Sequence, residues 1–284
     1  MRRIATVSQH SSAPSAPARG TDARRVAPPR DRWVVPVLDG REGGAPARFA
    51  ATRALAGRHP AVVFLAAVLG GLAVIATLSI LLGLLVVHVL VGPAGLGGTD
   101  NGFVRSLADH RSSGLTDASS VGSAVGGGFV LPAIVGLVAL ACAIARHWRI
   151  AAFALFALMT ESATYRITTL VVHRDRPGVH RLENLPVDAS YPSGHTAASI
   201  AVYSGLVLLL TSRVTDSTTR ALAWTFAILM TTFVALSRMY RGMHHPLDVA
   251  GGVCVGIGAI LVVLFACRAA GAAGAAATAR GTRS

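Results

Sequence analysis

Six apolar stretches, each near the length needed to cross a bilayer, constrain this chain more than any other feature. They run from about Ala61 to Val91, Ser123 to Ala145, Ile150 to Val172, Ser193 to Leu210, Ala221 to Leu236 and Pro246 to Cys267. A helix of about twenty apolar residues spans the hydrocarbon core, and it satisfies its own backbone polar groups there. Charged residues make up 14% of the chain, whereas soluble domains carry about a quarter. The expected fold is all-α, a polytopic membrane protein with about six transmembrane helices in residues 59–268.

Residues 1–58 are rich in Arg, Pro, Ala and Ser and lack hydrophobic periodicity, so they read as a disordered cytoplasmic tail. Arg2-Arg3 is followed by no apolar run until Ala61, too far for a cleaved signal peptide. Residues 269–284 read as a second disordered tail. Phe103 to His110 fits a short interfacial helix. Cys142, Cys254 and Cys267 sit in or at the edge of apolar segments without metal spacing, as buried apolar side chains do.

The net charge of +13 comes with no lysine, so all 26 basic residues are arginine. Their placement fits membrane anchoring, and no nucleic-acid motif accompanies them. With the N-terminus inside, 18 arginines fall on the cytoplasmic side and seven on the other, while Arg166 lies within a span. Both termini are therefore expected in the cytoplasm, in a multi-pass plasma membrane protein.

Under that topology three polar stretches share the outer face: Thr169 to Pro177, Tyr191 to His195 and Ser237 to Asp248. Charge at membrane depth is costly, so their cluster points to a site. Arg176 and Arg238 can grip phosphate oxygens with planar forks. Pro192-Ser193-Gly194-His195 opens a helix whose free N–H groups suit an anion, with Gly194 allowing close approach. Pro246 suits a first helical turn, from which Asp248 can reach back to His244. That bond would fix the imidazole and stabilise the cation formed on attack, leaving His195 as leaving-group acid. Taken alone, His244 with Asp248 is equally well a helix-start capping pair. No carboxylate cluster for a metal is evident, so the chemistry reads as metal-free phosphoryl transfer through a phosphohistidine.

These residues resemble the three-part signature of the type-2 phosphatidic acid phosphatase and vanadium haloperoxidase superfamily, KxxxxxxRP, PSGH and SRxxxxxHxxxD. The second part is complete as Pro192 to His195, and the third as Ser237, Arg238, His244 and Asp248. The first keeps Arg176-Pro177 but has Thr169 at the lysine position. The resemblance covers roughly residues 120–267. It implies His244 as nucleophile, His195 as acid, Asp248 as orienter, and Arg176, Arg238, Ser193 and Gly194 as phosphate cradle. Thr169 would offer a weaker hydroxyl contact, with Arg174 or Arg166 as a source of the missing charge.

His245 is the rival nucleophile, but the spacing to Arg238 and Asp248 selects His244. Glu161 divides evenly between pairing with Arg166 and a role near the site. Tyr191 and Arg241 read as interfacial, and Gly70-Gly71 and Gly251-Gly252 as helix-packing contacts. The expected function is a phosphatase without cofactor, acting at the outer face on a membrane lipid phosphate or polyprenyl pyrophosphate. Alternatives are a non-catalytic lipid-phosphate binding or transport protein, and a vanadate-dependent peroxidase.

Overall fold

The computed structural model describes residues 35–184 and 189–282, and their regular elements are helical. The helices are α1 (Ala45–Ala50), α2 (Pro60–Leu85), α3 (Leu96–Asp109), α4 (Ser113–Val125) and α5 (Val130–Ile144). They continue as α6 (Trp148–Val171), α7 (Gly194–Ser199), α8 (Gly205–Thr211), α9 (Ser217–Tyr240) and α10 (Pro246–Gly281). A π turn, Val86–Leu90, extends α2, and another, Ile200–Ser204, joins α7 to α8. Six helical stretches are long and apolar enough to cross a membrane: Pro60–Leu90, Ser113–Ile144, Trp148–Val171, Gly194–Thr211, Ser217–Tyr240 and Pro246–Gly281.

The second span begins at Ser113, ten residues before the expected start. Gly126-Gly127-Gly128 interrupts it between α4 and α5 instead of opening it. The polar run before the glycines folds as a helix because Ser112 caps it, its hydroxyl accepting from the Leu115 N–H at 3.4 Å. Its buried face, Ser119, Gly122 and Ser123, meets other protein and not lipid.

Two expected tails are corrected in part. Residues 1–34 lie outside the described residues, but Pro36–Leu38 form a 3₁₀ turn and α1 follows. Leu38 is buried, Arg268 donates to the Val37 carbonyl at 3.0 Å, and Arg149 pairs with Asp39 at 2.7 Å. This segment docks on the start of α6 and the later half of α10, opposite the end that carries His244. Residues 269–281 continue α10, with Ala269 and Ala273 buried beside Ala50 and Val63. Alanine is the best helix former, so a run with no hydropathy signal of its own simply prolongs the span.

Phe64, Phe153, Ile260, Val263 and Leu264 join α2, α6 and α10 in the central core. Large apolar side chains also cover the periphery: Leu69, Leu137, Ile144 and Leu222 are each 65–76% exposed. Such a belt fits a protein solvated by hydrocarbon.

Two glycine seams set the geometry of the polar end. A Cβ on Gly252 would lie 2.5 Å from the Ser193 carbonyl oxygen, and one on Gly256 2.6 Å from that of Ala197. The backbone of α7 therefore rests directly on α10, and the Ser193 N–H donates to the Asp248 carbonyl at 2.9 Å. On α4, a Cβ at Gly122 would fall 2.0 Å from the Ser237 hydroxyl oxygen. That approach brings Ser123 against Arg238. Gly71 packs tightly on Val262, whereas Gly70 faces open space.

Candidate active site

The chain ends α9, turns through Gly242 at φ +71°, and presents His244 just before α10. His244 is buried, and its Nδ1 lies 2.7 Å from the Ser190 carbonyl oxygen. A carbonyl only accepts, so Nδ1 carries the proton and Nε2 carries the lone pair. His244 also lines a cavity of about 270 Å³ with His195, Arg176 and Gly194.

Asp248 does not hold His244 directly, which corrects the expectation. Its Oδ2 is 3.9 Å from His244 Nδ1. That oxygen accepts from the Ser190 hydroxyl at 2.5 Å and from the His245 N–H at 2.7 Å. Asp248 is the third residue of α10 and His245 its N-cap, so the carboxylate folds back as a capping box. Ser190 is the link, donating its hydroxyl to Asp248 and receiving His244 on its carbonyl. His245 is unsuited to attack: Nδ1 is 3.2 Å from Asp248 and Nε2 is 3.1 Å from Asn101.

Arg238 has no solvent exposure. Its Nη1 donates to the Ser123 hydroxyl and to Glu183 Oε2, each at 2.5 Å. Its Nε and Nη2 have no hydrogen-bond partner among the described residues. One edge of the guanidinium is thus anchored, and the edge that could grip two oxygens of a tetrahedral anion is unpartnered, although Arg238 itself is not in the cavity wall. Glu183 also accepts from Arg241 Nε at 2.5 Å. Partial burial raises the Glu183 carboxyl, but Arg238, Ser123 and Arg241 outweigh it and hold the group at about 2.

Arg176 donates to the Met243 carbonyl at 2.6 Å and to that of Ala189 at 3.3 Å. These bonds tie the loop after α6 to the backbone beside His244. For His244 itself, burial lowers the pKa well below the ordinary histidine value, with Arg238 and Arg176 adding to burial and Asp248 opposing it. The ring is therefore neutral at neutral pH, the form that can act as nucleophile.

Other expected contacts are not brought together. The Thr169 hydroxyl donates to its own helix at the Arg166 carbonyl, 2.9 Å away, and Thr169 is not in the cavity wall. The buried Ser193 hydroxyl pairs with Thr196 at 3.0 Å and does not line the cavity either. Gly194 does line it, but its missing side chain makes room for Tyr165, whose ring would lie 3.2 Å from a Cβ. Arg174 is buried between Asp100 and Asp248 and is not a phosphate clamp. Arg241 is buried on Glu183, and Tyr191 is buried against Gly83 and Gly251, so neither is interfacial. Glu161 is 2% exposed, lines the cavity and has no ion pair with Arg166 among the described residues. Ser190, Glu183 and Ser123 went unrecognised, because a carbonyl acceptor and an anchor distant in sequence leave no local pattern.

Fold and site together define an integral membrane protein with two histidines and an arginine lining one cavity at one end of a helical bundle. Residues 150–270 match the family model described as the PAP2 superfamily. An undecaprenyl-diphosphatase from Sulfolobus acidocaldarius is 41% identical over 75 residues, which are 26% of this chain and 32% of that protein. The bacitracin transport permease protein BcrC from Bacillus licheniformis is 32% identical over 89 residues, 31% of this chain and 39% of that protein. The chain therefore spans about a third of the length of the curated relatives it matches. The crystal structure of a transmembrane PAP2 type phosphatidylglycerolphosphate phosphatase from Bacillus subtilis superposes with a TM-score of 0.56 at 19% identity. That likeness covers 72% of this chain and 93% of the other, and it is one of fold.

Proposed function

We propose that this protein is a phosphatase of a membrane lipid phosphate or polyprenyl diphosphate, working through a phosphohistidine on His244. One observation carries the reading. Ser190 fixes the Nδ1 proton of His244, so Nε2 is the free nucleophile, in a ring that lines one cavity with Arg176 and His195.

In the first step His244 Nε2 forms a bond to phosphorus as the bond to the leaving oxygen breaks. His195 gives that oxygen a proton. Arg176 in the cavity wall, with the unpartnered edge of Arg238 behind it, stabilises charge on the non-bridging oxygens. The imidazolium is stabilised through Ser190 and by Asp248 3.9 Å away. In the second step His195 takes a proton from water, the water oxygen attacks phosphorus, and the P–N bond breaks to release phosphate and neutral His244. No step requires a metal. The arginine bias supports a site at the outer face and both termini in the cytoplasm.

The test is a phosphate-release screen of the purified protein over lipid phosphates and prenyl diphosphates in the presence of chelator. Release by the wild type and loss of at least 10³-fold in His244→Ala are expected. A wild type inert towards every substrate would favour lipid-phosphate binding without turnover, and strict dependence on added magnesium would refute the metal-free mechanism.

A further inference from the structure

Glu161 is a carboxyl group in the wall of a cavity otherwise suited to an anion. It is 2% exposed, on a helix that crosses the membrane. Among the described residues its hydrogen-bond partner is the adjacent Ser162 hydroxyl at 3.0 Å, and no cation pairs with it. A buried carboxyl without a counterpart is costly, and such groups in membrane spans belong to function by default.

Its depth follows from α6. Leu158, Glu161, Ser162 and Tyr165 recur at helical spacing and all line the cavity. Tyr165 packs on Gly194, next to His195, and so marks the level of the phosphate cradle. At about 1.5 Å rise per residue, Glu161 lies roughly 6 Å further into the bundle and Leu158 roughly 10 Å. Leu158 and its neighbours Leu131 and Pro132 make that deeper part apolar. A lipid phosphate held in the cradle with its tail beside Leu158 passes its first carbons alongside Glu161.

We infer that Glu161 is a specificity-determining residue, which selects lipid monophosphates bearing a hydroxyl or ammonium donor next to the phosphoester carbon. This rests on the phosphatase reading above and narrows it. A donor there hydrogen-bonds to the carboxyl. A plain hydrocarbon leaves the carboxyl unmatched.

The test compares 1-oleoyl-glycerol 3-phosphate, its 2-deoxy analogue and farnesyl diphosphate in mixed micelles, for wild type, Glu161→Met and Glu161→Gln. The wild type should prefer the hydroxyl-bearing lipid over the deoxy analogue by about tenfold in kcat/KM. Glu161→Met should collapse that ratio towards one. Glu161→Gln, nearly isosteric and still able to hydrogen-bond the hydroxyl, should keep the preference, and it covers the case in which Met disturbs folding. A general defect would lower all three substrates together and overturn the inference. Equal wild-type turnover of the hydroxyl and deoxy lipids would overturn it while leaving the phosphatase reading intact. A wild type inert on all three would overturn the inference, while the phosphatase reading stands or falls on the wider phosphate-release screen.

Discussion

Arg238 is a full charge without solvent, and Glu183 with Ser123 is what holds it. Removing one member of a buried pair costs about 3–5 kcal/mol. Glu183 is partly exposed, so Glu183→Ala should cost about 2 kcal/mol, read as a lower Tm in detergent. The same variant should weaken inhibition by vanadate, since Arg238 loses the anchor that turns its open edge to the anion. An unchanged vanadate response would mean that Glu183 serves packing alone. Because the Glu183 carboxyl sits at about 2 in the fold against an ordinary 4.5, its contribution is complete above about pH 4.5 and fades as pH falls towards 2. His244 shifts the other way for a base: its ring should stay neutral through pH 6.5. Histidine-labelled NMR, assigned against His244→Ala, should show no titration of that ring near 6.5. At this scale the spacing from Arg238 to His244 to Asp248 was legible in the sequence, and it is His244, not His245, that lines the cavity. The direct His244–Asp248 bond was not borne out, because Ser190 takes the proton with its backbone, and any residue type has a carbonyl there.

Among the elements, α7 on α10 positions the two histidines, and glycine permits the approach. Gly252→Ala would put a methyl group 2.5 Å from the backbone oxygen of Ser193, which no side-chain rotation can relieve. The expected result is displacement of α7 and at least about a 100-fold loss of kcat/KM with helix content retained. Gly70→Ala enters open space and should leave turnover unchanged, with stability equal or slightly higher. Phosphate release and circular dichroism on the pair separate a local clash from general intolerance to bulk. The packing role of Gly251-Gly252 was legible as a small-residue pattern. The early start of the second span was not, because Ser119 and Ser123 bury their hydroxyls against Arg241 and Arg238, and hydropathy registers only their polarity.

For the whole molecule, six crossings bring the described chain back to the side on which it starts, with the His244 end of α10 at the other face. Single-cysteine reporters in a background lacking Cys142, Cys254 and Cys267 test the orientation. An impermeant maleimide should label Gly178→Cys in intact cells, and should label Ala279→Cys only after permeabilisation. The reverse pattern would place the site in the cytoplasm. The number of spans was legible because hydrocarbon demands long apolar helices. The docking of Val35 to Ala50 on the far end was not, because arginine bonds to the carbonyls of Val37 and Leu38 and scattered apolar contacts of Val35, Leu38 and Ala50 hold it, without a hydrophobic repeat.

The central claim, covalent catalysis at His244, is tested most directly by rapid acid-free quench of the enzyme with a ³²P-labelled lipid phosphate, followed by peptide mapping. The account predicts base-stable, acid-labile label on the peptide containing His244, absent in His244→Ala. Turnover with no label on that peptide, or label on another residue, would contradict it.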